Sequence, residues 1–122
     1  MNVFDYSEGI WGRFRKTPHA GRFAEGEAGV VSAQAGSVAA RSLLRLQVRR
    51  QQGRLQARFQ AYGCPTAIAV GEWLAEQLET RPAAALAGLN VAQIRSALEI
   101  SEDRLHCALM GEDAVKALLK QL

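Results

Sequence analysis

The sequence predicts an α+β domain, a three-stranded antiparallel sheet with helices packed on its apolar face. Three observations point there. Residues 42–61 alternate apolar and polar side chains, interrupted only by Gln51-Gln52-Gly53. The segments before and after carry apolar residues at helical spacing instead. The order helix, strands, helices is that of a domain whose helices lie on one face of an antiparallel sheet.

Tyr6, Ile10, Trp11 and Phe14 form one apolar stripe and predict a helix over 5–16, ended by Thr17-Pro18. The glycine- and acid-rich stretch 19–28 reads as a loop, with His19 expected to be exposed there. Val30-Val31-Ser32-Ala33 predicts a short first strand, and the small residues 34–40 a loop. Leu44, Leu46 and Val48 then face one way and Arg45, Gln47 and Arg49 the other. Beyond the turn Leu55, Ala57, Phe59 and Ala61 continue the apolar face, and Arg54, Gln56, Arg58 and Gln60 the polar one. This is a half-buried hairpin with an arginine-rich wet face.

Residues 66–79 predict a helix with Ala67, Val70, Leu74 and Leu78 inward, Glu72, Glu76 and Glu79 outward, and Trp73 at the edge of the stripe. Thr80-Arg81-Pro82 stops it, and 83–89 reads as a short helix or connector. Asn90 has N-cap chemistry for a helix carrying Val91, Ile94 and Leu98. Ser101 is the expected N-cap of a last helix whose stripe is Leu105, Leu109, Val115, Leu118 and Leu122. Its early acids Glu102 and Asp103 and late bases Lys116 and Lys120 suit the macrodipole.

The 122 residues are read as one domain, 1–122, large enough to bury a core without disulfides. No apolar run is long enough to span a bilayer and no secretory h-region opens the chain, so a cytoplasmic protein without membrane contact is expected. The net charge of +3 hides an asymmetry. No acid occurs between Ala28 and Gly71, where Arg41, Arg45, Arg49, Arg50, Arg54 and Arg58 all fall. Such a ribbon suits an acidic surface or phosphates. It lacks outward aromatics to stack on bases, so Arg45, Arg49, Arg54 and Arg58 are read as a protein-docking or solvated face and no nucleic acid is expected.

The chemistry concentrates at Tyr62-Gly63-Cys64-Pro65 and at His106-Cys107. Gly63 permits a sharp corner and Pro65 suits the first helical position, which puts Cys64 at a helix N-terminus. Unpaired N–H groups there favour thiolate, the form that binds metal or attacks sulfur. The competing reading is a small buried thiol that packs as a hydrophobe. Adjacent helical residues point about 100° apart, so only one of His106 and Cys107 can face Cys64.

Tyr6-Ser7-Glu8, the Pro18–Phe23 stretch, Leu46-Gln47-Val48, Ala57-Arg58-Phe59, Tyr62-Gly63-Cys64 with Ala67-Ile68-Ala69, and His106-Cys107-Ala108-Leu109 with Glu112-Asp113-Ala114-Val115-Lys116 together resemble one family. It is the iron-sulfur cluster assembly scaffold family of IscU and the NifU N-terminal domain. The resemblance runs almost end to end and implies a SufE/NifU-like fold. It further implies a non-enzymatic scaffold on which a cluster is built with sulfur from a cysteine desulfurase, held by three cysteines with an aspartate and a histidine nearby. Two of those cysteines correspond to Cys64 and Cys107, and the histidine to His106. The first lies in an Ala-Cys-Gly-Asp sequence that here reads Ala39-Ala40-Arg41-Ser42, so one thiolate and the carboxylate are missing.

The metal ligands implied are therefore Cys64, His106 and Cys107, too few to enclose an iron-sulfur cluster, iron or zinc. Ser42, Arg41 and Arg104 are accessory candidates, Ser42 as a further donor and Arg41 as a charge that lowers a thiol pKa. The family's chaperone-binding Leu-Pro-Pro-Val-Lys aligns with Ile100-Ser101-Glu102-Asp103-Arg104. Loss of both prolines argues against hand-off to an Hsp70-type chaperone. Three functions stay open: a scaffold or metal carrier; a sulfur relay with a persulfide on Cys64 or Cys107; and a regulatory module docked on the desulfurase. A monomer or weak dimer is expected.

Overall fold

The computed structural model describes residues 5–24 and 26–122. Helix α1 (Glu8–Arg15) leads into strands β1 (Val30–Ser37), β2 (Ser42–Gln51) and β3 (Arg54–Tyr62), followed by helices α2 (Pro65–Thr80), α3 (Ala83–Leu86), α4 (Val91–Leu98) and α5 (Leu105–Leu119). The strands form one antiparallel sheet in the order β1-β2-β3. The expected fold class holds.

The hairpin turn follows from its residues. Gln51 pairs with Arg54, which leaves Gln52 and Gly53 as a two-residue loop with φ of 52° and 77°, the conformation whose twist suits a tight hairpin. Leu44, Leu46, Val48, Ala57 and Phe59 are buried against α2 and α5, as the alternation requires. Two glycines set the layer spacing. A Cβ on Gly71 would collide with the Phe59 ring, and one on Gly111 would lie 2.7 Å from Val70 Cγ1. Helix α2 therefore sits close on β3, and α5 close on α2.

Several expectations change. Helix α1 begins at Glu8 because Ser7 caps it, accepting from the Ile10 N–H at 3.3 Å and donating to the Leu98 carbonyl at 2.6 Å. Strand β1 continues through the small residues to Ser37, since β2 offers it a complete ladder from Val30↔Arg49 to Ser37↔Ser42. Tertiary pairing overrides the weak strand preference of Gly36 and its neighbours.

Residues 19–23 are not a free loop. Ala20 bridges Phe59 on the outer side of β3, and Phe23 covers the polar face of the sheet. Gln47 is buried beneath it, accepting from the Phe23 N–H at 3.0 Å and donating to Ser32 Oγ at 2.9 Å. The wet face is thus partly roofed. Glu72, expected outside on α2, is 1 % exposed.

The last helix is also different. Ser101 caps a 3-10 turn, Glu102–Arg104, and α5 begins only at Leu105. Its buried face is Cys107, Ala108, Met110, Gly111, Ala114, Val115 and Leu118, whereas Leu109 and Leu122 are exposed. No helix among the described residues is long and apolar enough to cross a membrane.

Candidate functional site: a thiol pair at the start of α2

Strand β3 ends at Tyr62, and Gly63, at φ 150°, turns the chain into α2. A Cβ there would press on Ala67 at 3.1 Å, so the corner requires glycine. Cys64 is the N-cap of α2 with Pro65 directly behind it. Helix α5, drawn against α2 at Gly111, presents Cys107 to the same corner. The two sulfurs lie 3.9 Å apart.

They differ in exposure. Cys64 is half-buried and opens, with Arg41, Ala61, Tyr62, Gly63 and Ile68, onto a cavity of about 470 Å³. Cys107 is fully buried. Reagents from outside therefore meet Cys64 first.

They differ in charge as well. The Cys107 thiol donates to Cys64, the Ala67 and Thr66 N–H groups face its sulfur, and the Arg104 guanidinium attracts it. Against the opposing effect of burial, these lower the Cys64 pKa to about 4. Cys107 is pushed well above the usual thiol range by that same hydrogen bond, by burial and by the neighbouring thiolate. The first proton to leave the pair is that of Cys64. The pair therefore favours the thiolate at Cys64 and the thiol at Cys107.

The other candidates are placed as follows. His106 is exposed on α5, one residue from Cys107. Among the described residues no three His, Cys, Asp or Glu side chains come together as a metal site. Ser42 stands beside the corner, its Oγ 3.4 Å from where a Gly63 Cβ would be. Arg41 lines the cavity at φ 59°, a left-handed backbone at the position where the family resemblance has glycine.

The guanidinium acting on both sulfurs is that of Arg104. It lies over the Tyr6 ring at 5.9 Å. Its own pKa is raised by Tyr6 and by Cys64. The Thr66 hydroxyl, buried at the first turn of α2, has no hydrogen-bond partner among the described residues.

Of the arginines expected on a docking face, two are engaged within the chain. Arg49 binds Glu27 at 2.7 Å and Gln56, and stacks on Phe23 at 4.5 Å. Arg58 lies 5.3 Å from the same ring and 3.8 Å from Glu79. Arg54 is exposed and Arg45 half-buried.

Sequence reasoning missed a second polar cluster. His19 Nδ1 lies 2.5 Å from Glu72 Oε2 and its Nε2 2.8 Å from Glu79 Oε1, so the imidazolium donates to both carboxylates. Its backbone N–H donates to Glu72 at 3.0 Å, and the Ala57 N–H donates to Glu79 at 2.9 Å. The available signal was the spacing of Glu72 and Glu79, two turns apart on one face of α2.

A family model described as NifU-like N terminal domain matches residues 5–122. The iron-sulfur cluster assembly scaffold protein IscU of Escherichia coli K12 is 28% identical over 116 residues, covering 93% of this chain and 91% of that protein. The iron-sulfur cluster assembly protein IscU of Plasmodium falciparum is 27% identical over 119 residues, 97% of this chain and 74% of that one.

Among solved structures, an iron-sulfur cluster assembly scaffold protein for the SUF system from Fervidobacterium islandicum superposes with a TM-score of 0.70 at 15% identity, covering 98% of this chain and 99% of the other. The N-terminal part of a nitrogen-fixing NifU-like protein from Brucella abortus gives 0.71 at 16% identity, with 94% and 92% covered. Identities this low speak for the fold.

Proposed function

We infer, because the chain belongs to the NifU-like N-terminal domain family, that it serves iron-sulfur cluster assembly as a scaffold-type protein and not as an enzyme. The observation that carries this reading at the chain's own site is the 3.9 Å between Cys64 and Cys107 sulfurs. Two thiolates bound at about 2.3 Å to one tetrahedral ion stand roughly 3.8 Å apart, so the pair is already spaced to share an ion.

The donors fit half a coordination sphere. Cys64 and Cys107 would take two positions for iron, zinc or the edge of a labile cluster held as cargo. His106 is the nearest imidazole in sequence and must swing in to become a third ligand. Ser42 or a partner's side chain would complete the set. The chain alone does not fit a whole cluster.

A cysteine desulfurase is the partner expected to supply sulfur. It would approach the cavity mouth at Cys64, with Arg45 and Arg54 as the arginines most available to an acidic surface. The altered 100–104 segment argues against an Hsp70-type partner: Ile100 is buried and Asp103 is tied to Ser101 at 2.5 Å.

Anaerobic incubation with ferrous iron, sulfide or zinc, followed by metal and sulfide analysis, tests the reading. Metal is expected near one ion per chain, abolished by Cys64→Ala and by Cys107→Ala and weakened ~10-fold by His106→Ala. Background metal on the wild-type chain overturns it.

A second reading, the sulfur relay, is favoured by one observation: the accessible sulfur is the thiolate and the buried one is the thiol. Persulfide on Cys64 after exposure to a sulfur donor, with background metal, would select it.

A further inference from the structure

The shortage of ligands at the thiol pair suits a different chemistry. Cys64 and Cys107 are the two cysteines of the chain, both free and in contact. Resting on the sulfur-relay reading, we propose that Cys107 is a resolving thiol that discharges a sulfane sulfur carried on Cys64 as hydrogen sulfide, leaving a Cys64–Cys107 disulfide.

Exposure and position support this division of labour. A hydropersulfide donor can reach Cys64 through the cavity but not Cys107, which is fully buried. A sulfane sulfur added to Cys64 would extend toward that cavity. The atom facing Cys107 is then the inner sulfur, Cys64 Sγ, at 3.9 Å. Closing that gap to the ~2.05 Å of a disulfide needs side-chain rotation of about 2 Å. Attack on the inner sulfur expels the outer one, whereas attack on the outer sulfur would only move it from one cysteine to the other. Arg104, beside Cys64, offers a positive charge to the departing hydrosulfide.

The step balances. The Cys107 S–H bond and the Cys64 sulfur–sulfane bond break, the Cys64–Cys107 bond forms, and the thiol proton leaves with the sulfide. The sulfane sulfur gains the two electrons that the two cysteine sulfurs lose together. No outside reductant enters until the disulfide is reopened by a dithiol. The reaction is one discharge per chain, a stoichiometric release of sulfide.

The test uses the reduced full-length chain, mixed anaerobically with glutathione persulfide. Released sulfide is quantified, and the cysteines are read by peptide mass mapping. The wild type is expected to release about one sulfide per chain and to yield the Cys64–Cys107 disulfide. Cys107→Ser, checked for folding by circular dichroism, should retain the extra sulfur on Cys64 and release at least ~10-fold less sulfide.

A wild type that keeps its persulfide without forming the disulfide overturns the proposal, and that readout needs no variant. Equal sulfide from C107S overturns it too. If C107S acquires no persulfide on Cys64, the relay reading fails and the proposal fails with it. Persulfide retained by both proteins removes the resolving step and leaves the relay intact.

Discussion

Helix α2 carries two ionised clusters that treat charge in opposite ways. On its flank, Glu72 and Glu79 are met by His19, and nearly every polar atom is bonded within the chain. At its N-terminus, Cys64 is held as an anion by N–H groups, a thiol and Arg104, yet its sulfur opens on a cavity. The first cluster is closed, and its charges tie the 19–23 segment to the body. The second is stabilised without being covered, so its charge stays available to what enters the cavity. Charge compensated from every side holds structure together, and charge compensated from behind can react.

The largest effect should come from opening the closed cluster. His19→Ala leaves Glu72 buried opposite a like charge and is expected to cost about 3 kcal/mol of unfolding free energy in urea titration. The same substitution should leave Cys64 alkylation unchanged, and a parallel loss of thiol reactivity would mean that the two clusters are coupled.

Gly71→Ala drives a methyl into the Phe59 ring and should cost ~1–3 kcal/mol, read as a lowered urea midpoint. A neutral result would show that β3 can move away from α2.

The pH dependence separates the clusters by sign. Burial lowers the His19 pKa, but its hydrogen bonds to and charge interaction with Glu72 and Glu79 raise it further, to a net value above the usual histidine one. A raised pKa adds stability that is fully present below the unfolded value, about 6.5, and that fades as pH rises through the folded pKa. Unfolding midpoints should therefore fall as pH climbs through that window in the wild type and much less in His19→Gln.

Cys64 runs the other way. With a pKa of about 4 its iodoacetamide labelling should be nearly flat from about pH 6 to 8, where an ordinary thiol gains roughly tenfold per unit. Tenfold steps per unit at Cys64 would show that the thiolate is not preformed.

The smallest expected change is in Arg104→Ala, a partly exposed charge screened by solvent. It should slow labelling of Cys64 near pH 4 about 2-fold, with Arg41→Ala nearer to wild type. The reverse order would return the electrostatic role to Arg41.

Much was legible in the residues because it is local. The alternation over 42–61 and the turn at Gln52-Gly53 fixed the hairpin and its apolar face. Gly63-Cys64-Pro65 marked a strand-to-helix corner, and the chain's own periodicity placed α2 and α4. What failed was long-range. His19 looked like a loop histidine because its partners lie 53 and 60 positions away. Glu72 looked external because charge marks an outer face until a distant cation covers it. The leucines of α5 suggested a stripe through Leu109, whereas the small residues Cys107, Gly111 and Ala114 face inward, and at Gly111 helix α2 comes too close for a larger side chain.

By itself the sequence determined an α+β chain with a cysteine at a helix start, a second cysteine beside a histidine, and no third cysteine. Helix-terminus electrostatics and side-chain period act over a few residues, so those features could be read in order. Tertiary packing decided which neighbour met Cys64. Gly111 let α5 approach α2, that approach carried Cys107 to 3.9 Å and turned His106 to solvent, and no local pattern encodes a distance between segments forty-three residues apart.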